Sequence, residues 1–345
     1  MIRAVKAINY LGRSLLMRLD GREVDSLLLW NIDGISPGSA DINVTEVASS
    51  DGAYFNSARQ NSREITLTLL LNWAPTIELA RKDSYSYFPL KRPIRLIFYS
   101  DPDMSLGKYG ASCARYIDGY VQENTVEIFG SKNCAAQITV KCPDPHFYAC
   151  SPDTDSQVSV SYEKRIFGEG GSAFSFPYSN ESLDENLTYF GEESPVTNSL
   201  LVNYPYDAIP TGMDIVLRFK QDLLKNGALG VYGYFKITQV ETGKSLQVNL
   251  ASITKYPDYS TGYLAEDALV ITTIRGKKDV TISRQSVANG EGVSVLGIME
   301  DPASDWLEFQ PGSNTFTVST PMGLDPVAQG IYSVEVQYTP AYEGV

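Results

Sequence analysis

The sequence predicts a mainly β protein with a little α, in two parts spanning residues 1–149 and 150–345. Three observations predict it. Short runs alternate apolar and polar residues, as strands with one buried face do. Turn-forming stretches such as Glu241-Thr242-Gly243-Lys244 separate those runs. Aromatics are abundant, with 22 Tyr, 13 Phe and 3 Trp, and such rings suit a pleated, half-buried surface. A chain of 345 residues exceeds one ordinary core and fits two domains.

The first part reads as strands around one helix. Ile65-Thr66-Leu67-Thr68-Leu69 alternates strictly and follows Asp51-Gly52 and the polar stretch Ala58 to Ser62. A helix is expected from Pro75 to Tyr87. Proline at the first helical position gives up an N–H that has no partner there anyway. Ile77, Ala80, Ser84 and Phe88 recur on one face, and Pro89 and Pro93 end the helix. Pro93 to Tyr99 is the next strand, with Ile94, Leu96 and Phe98 on one side. Tyr116 to Ile128 follows, with Asp118-Gly119 marking a turn or bulge. Gln137 to Cys142 then stops at Pro143.

Between Pro143 and Gly212, Pro, Gly, Ser, Asn and acidic residues dominate, so loops and a junction near residue 150 are expected. The last third is β. Asp214 to Phe219 is one strand. Tyr234 to Val240 and Leu246 to Leu250 flank the Glu241–Lys244 turn, and Leu269 to Ile274 and Val280 to Ser283 flank Arg275-Gly276-Lys277-Lys278. Thr315 to Ser319 and Tyr332 to Tyr338 complete a β-sandwich pattern.

Charge narrows the function classes. Asp and Glu outnumber Lys and Arg by 41 to 28, for a formal net charge of −13. Nucleic-acid binding needs cations that displace phosphate counterions, so specific binding of that kind is disfavoured. Binding to anionic membranes is disfavoured for the same reason. Leu27-Leu28-Leu29-Trp30 is too short to cross a bilayer, so no membrane insertion is expected. Met1 to Lys6 lacks the apolar run of a signal peptide, and the protein is expected to be made in a cytoplasm.

Catalytic constellations are missing, and the expectation is no enzyme, no catalytic residue, no cofactor and no metal. The chain has a single histidine, His146, in Pro143-Asp144-Pro145-His146-Phe147, with no nucleophile placed beside it by sequence. Cys113, Cys134, Cys142 and Cys150 form no close ligand pair. Cys142, His146 and Cys150 are spaced by four, but Pro143 and Pro145 forbid the helix that would give that spacing meaning. Gly168-Glu169-Gly170-Gly171 lacks the Lys and Ser/Thr of a phosphate loop, and Gly290-Glu291-Gly292 lacks the third glycine of a dinucleotide fingerprint. Asp101-x-Asp103-x-Ser105 begins like a calcium loop, but Leu106 and Ser112 stand where Gly and Glu belong.

Two segments carry a recognisable order. Asp51 to Leu67, the helix around Glu78 to Lys82, the strand Pro93 to Tyr99, Arg115 to Val121 and the phrase Cys142 to Tyr148 follow one another. Trp306 to Phe316, with its Pro311-Gly312-Ser313-Asn314 turn, then Tyr332 to Tyr338 and Tyr342 to Val345, make the second. Gly and Asn are expected in that turn because both tolerate positive φ. Together they resemble the distal tail proteins of siphophages. The resemblance implies an N-terminal ring-forming domain (1–149) with one helix and a galectin-like β-sandwich (150–345) projecting from the ring. It implies a homo-hexameric ring at the virion tail tip. The ring would join the tail tube protein to the tail hub or tail-associated lysin, with the tape measure and receptor-binding proteins as further partners. The alternative is a carbohydrate-binding β-sandwich protein for host-surface attachment; a hydrolase and another tail part are further rivals.

Overall fold

The computed structural model describes residues 2, 4–19, 26–47, 51–71, 76–100, 114–127, 134–150, 163–166, 174–176, 188–190, 199–284, 292–299, 304–319, 327 and 329–345. Pro75, Asp101 to Ser112, Cys113, Gly168 to Gly171 and Gly290-Glu291 lie outside the described residues. The chain divides into two compact units, Met1–Ser161 with Pro340–Val345, and Tyr162–Thr339. Each is mostly strand, and the described residues contain one α-helix.

The first unit opens with β1 (Ala4–Asn9), β2 (Ser14–Arg18) and β3 (Leu27–Asp33). A hairpin of β4 (Ala40–Glu46) and β5 (Ala53–Gln60) leads into β6 (Arg63–Leu71). Then come α1 (Ile77–Tyr87), β7 (Pro93–Tyr99), β8 (Ala114–Val126), β9 (Ala135–Cys142) and β10 (Phe147–Cys150). Its main sheet is antiparallel, in the order β2-β1-β7-β8-β9-β6-β3. Residues of the two end strands approach one another, so the sheet curls towards closure. One face buries Val5, Ala7, Leu67, Leu69, Leu96, Phe98, Ile138 and Val140. Alternation at period two puts them there, and a slip of one residue would turn the whole set to the other side.

Helix α1 lies against this sheet and buries Ala80 and Ser84, with Phe88 at its end. Thr76 caps it by accepting the Leu79 N–H. At the other end the Asn124 amide donates to the Phe88 carbonyl, beyond the last helical bond, and to the Ser84 carbonyl, which also accepts the Phe88 N–H. Asp118-Gly119 makes neither turn nor bulge. Both residues pair regularly inside β8, opposite Arg95 and Ile94. The register shift of β8 against β9 comes later, between Val121 and Glu123. Gly119 is there for space: a Cβ would stand 2.6 Å from Val140 Cγ1 and 2.8 Å from Cys142 Sγ.

The second unit contains β11 (Glu163–Ile166), the small hairpin β12 (Phe174–Phe176) and β13 (Thr188–Phe190), and β14 (Ser199–Tyr204). There follow β15 (Asp214–Phe219), β16 (Leu223–Leu224), β17 (Tyr234–Gln239), β18 (Ser245–Asn249) and β19 (Gly262–Tyr263). Last come β20 (Ala268–Thr272), β21 (Asp279–Ser283), β22 (Val293–Ser294), β23 (Gly312–Ser319) and β24 (Tyr332–Tyr338). One sheet runs β11-β24-β15-β20-β21-β22 and another β14-β23-β17-β18. Rings join the two layers, with the Phe235 centroid 6.1 Å from that of Tyr332 and the Tyr204 centroid 5.8 Å from that of Tyr338. The expected turns at Gly243 and Gly276 are present, and both glycines take positive φ.

The Pro311–Asn314 turn works differently from expectation. Only Gly312 takes positive φ, at 100°. Asn314 lies within β23, fully buried, and its side chain donates to the Gln310 and Gly312 carbonyls and accepts from the Gln310 N–H. Gln239 adds a further hydrogen bond to it, so a buried amide is fully used rather than strained.

Candidate assembly surface

The β4–β5 hairpin forms a sheet of its own. All of β4 is exposed, and so is β5 up to Arg59. An isolated two-stranded hairpin is marginal in water, so its residues have another use. Directly paired residues share a face. Val44 pairs with Phe55 and Ile42 with Ala58, because the register shift after Asn43 skips Asn56. The shift therefore gathers Ile42, Val44, Phe55 and Ala58 on one face. Asp41, Asn43, Thr45, Tyr54, Ser57 and Arg59 take the other. Ile42 is 63% exposed and Phe55 66% exposed. No element of the described residues covers this apolar face.

Trp30 is a further exposed apolar side chain, at 66% exposed. It sits in β3, an edge strand, where the register shift between Leu29 and Asn31 removes it from the ladder and turns it outward. The sequence registered Leu27 to Trp30 only as an apolar run. It passed over the hairpin strands altogether, because their apolar residues alternate with nothing that marks a core.

The root of the hairpin is built around Arg63. Its Nε donates to the Pro145 carbonyl at 2.7 Å, Nη1 to Gly34 and Ser36, and Nη2 to Glu343 at 2.6 Å. The guanidinium also lies 4.8 Å from the Phe147 ring. Burial pushes its pKa down, yet the planar fork meets a carbonyl at each of its nitrogens.

The Pro143–Phe147 phrase is a bracing turn. Asp144 accepts from the His146 backbone N–H and from the Tyr148 hydroxyl, and its Oδ1 lies 2.7 Å from His146 Nδ1. The lone histidine thus has a carboxylate partner within its own turn. Cys134, Cys142 and Cys150 are buried free thiols. Burial pushes Cys142 up to about 12 and Cys150 up to about 11, so neither is a thiolate near neutrality. Among the described residues, no group of three or more His, Cys, Asp or Glu could hold a metal ion.

A groove of about 890 Å³ lies in the same unit, between Lys6, Ile8, Tyr10, Arg95, Asp118 and Tyr120. Arg95 grips Asp118 through two bonds of 2.6 and 2.7 Å, which makes the floor a neutral pair. In the second unit most of the aromatics are core: Tyr204, Tyr259, Tyr263, Tyr332 and Phe309 are buried. Among the described residues of this unit, Tyr206 is 85% exposed, with its ring beside Gly312, and Tyr234 is 40% exposed.

No protein-family model matches the chain, and no curated protein does. Among solved structures, 97% of this chain aligns with 98% of the SPP1 Dit (gp 19.1) protein, at a TM-score of 0.54 and 12% identity. The two proteins share a fold. That structure is described as a paradigm of the hub adsorption apparatus in phages infecting Gram-positive bacteria. Two structures of the phage P2 baseplate in its activated conformation, with Ca and with Sr, align at TM-scores of 0.43 and 0.42. Identity is 10% and 9%, over 98% and 94% of this chain and 98% and 100% of those chains. At those scores they add nothing about the fold here.

Proposed function

We propose that this protein is a structural, non-catalytic component of a phage tail, a distal tail protein that forms a homo-hexameric ring at the tail tip. The first unit builds the ring. The second, a galectin-like sandwich, projects from it; the sequence expects these parts at 1–149 and 150–345, and the compact units lie at 1–161 with 340–345 and at 162–339. The ring joins the tail tube protein to the hub or tail-associated lysin, the tape measure and the receptor-binding proteins. The observation that carries this reading is the apolar face of Ile42, Val44, Phe55 and Ala58, exposed among the described residues on a hairpin that forms a sheet of its own. Fully burying a Val, Ile or Phe side chain contributes about 1.5–3 kcal/mol, so laying this face on a neighbour releases several kcal/mol per contact. A head-to-tail contact of that kind closes into a ring when its rotation permits. The fold shared with an adsorption-hub protein supports the same reading.

The test is native mass spectrometry with sedimentation on the wild-type chain and on the Ile42→Asp, Phe55→Asp double variant. Wild type should give six subunits. The variant, altered only at exposed positions, should remain monomeric with unchanged melting. A wild-type monomer at every concentration, or a variant that assembles normally, would overturn the proposal; a long polymer would indicate a tube protein. Glycan binding by residues 150–345 is the second reading, and the exposed ring of Tyr206 favours it. On that reading Tyr206→Ala abolishes binding on a glycan array.

A further inference from the structure

We propose that residues 340–345 are a latch on the root of the β4–β5 hairpin, fixing the direction in which its apolar face is presented. This rests on the ring reading for its consequence, though not for its geometry. The hairpin has two attachments to the rest of the first unit. One is the short link Asn61-Ser62 into β6, and the other is the stretch Gly34 to Gly38 that enters β4. The strands between are no anchor among the described residues, since β4 and nearly all of β5 are exposed.

The chain leaves the second unit at Thr339 and returns to the first. The Ala149 N–H donates to the Pro340 carbonyl, and Ala341–Tyr342 pairs with β10 as an added strand. Arg115 lies 3.7 Å from the Tyr342 ring and donates to the Gly344 carbonyl. From that seat the tail grips the hairpin root in two ways. The Val345 N–H donates to the Ile35 carbonyl at 3.2 Å. Glu343 shares the guanidinium of Arg63 with Gly34 and Ser36, so one rigid fork ties tail and root together.

Gly344 shows how close the approach is. A Cβ on it would stand 3.1 Å from Pro37 Cδ and 3.2 Å from the Ile35 carbonyl oxygen. A branched side chain at that position forces tail and root apart without touching the main sheet. A root held this way enters β4 at one angle. Without the tail, the root keeps the bonds from Arg63 Nη1 and its packing of Gly34 against Glu64, and the fork loses the acceptor of Nη2.

The experiment is amide hydrogen exchange on the full chain, comparing wild type with Gly344→Val and with a chain lacking residues 343–345. The expected result is exchange at least tenfold faster across residues 35–46 in both variants. Exchange in β7, β8 and β9 should not change, which also reports that the variants fold. Ring formation, read by sedimentation, should then need at least tenfold more protein. Exchange at 35–46 equal to wild type in the folded variants overturns the latch, and so does faster exchange with assembly unaltered. A wild-type chain that never forms rings sinks the ring reading alone, and the exchange comparison then decides the latch by itself.

Discussion

Asp144 holds the Pro143–Phe147 turn through one carboxylate. Burial works to raise its pKa, but the hydrogen bonds from His146 and Tyr148 outweigh burial and hold it below the usual carboxylate range. A group with a depressed folded pKa contributes stability in full above its unfolded pKa, near ~3.9. The contribution disappears as pH falls through the folded value. Hydrogen bonds to charged acceptors contribute about 1.5–3 kcal/mol. The Asp144 side chain is half exposed, so Asp144→Asn should cost nearer ~1 kcal/mol at pH 7. Urea melts should show that gap closing as the pH falls below about 4; a gap that widens in acid would contradict the assignment. In the second unit Arg284 plays a comparable bracing part. It pairs with buried Asp267 at 2.8 Å, donates to the Asp258 and Gly262 carbonyls and stacks on Tyr259. Neither cluster was legible in the sequence, because each joins groups whose positions depend on turns and not on periodicity.

Among the elements, the strands with one buried face were legible and the hairpin β4–β5 was not. Ile65 to Leu69, Pro93 to Tyr99 and Gln137 to Cys142 alternate because one side of each meets a core. Ile42, Val44 and Phe55 meet nothing within the described chain, and polar neighbours and a register shift break their pattern. Asp118-Gly119 misled in the opposite sense, since the pair is common in turns but sits here in mid-strand. The glycine serves close packing, which gives a prediction for β8. Gly119→Ala puts a Cβ against Val140 and Cys142 in a full interior. Overpacking of this kind costs about 1–3 kcal/mol. Urea denaturation followed in the first unit would measure the loss, and unchanged stability would refute the packing role.

For the whole molecule, the decisive feature is that the first unit is completed by residues from the far end of the chain. A fragment of residues 162–339 holds the whole of the second compact unit. A fragment of residues 1–161 should be weaker than its counterpart in the full chain. It loses the added strand on β10 and the Glu343 carbonyl that buried Arg63 uses. Each unpaired buried group costs about 1–3 kcal/mol, so a deficit of several kcal/mol is expected in thermal or urea melts. Joining residues 340–345 to 1–161 through a flexible linker should restore most of it. Equal stability of the fragment with and without that segment would show that the tail is an ornament of the fold.

The sequence by itself determined the β class, the single helix with its buried face, most strands with a wet and a dry side, and the glycine turns at Gly243 and Gly276. These are local properties: a period of two or 3.6 residues, or a φ that only glycine adopts easily. Tertiary structure alone decided that Ile42, Val44 and Phe55 stand bare and that Arg63 joins three distant turns. It also decided that residues 340–345 complete the first unit. The bond from Arg63 to Glu343 spans 280 residues of chain, and no local pattern encodes a contact at that separation.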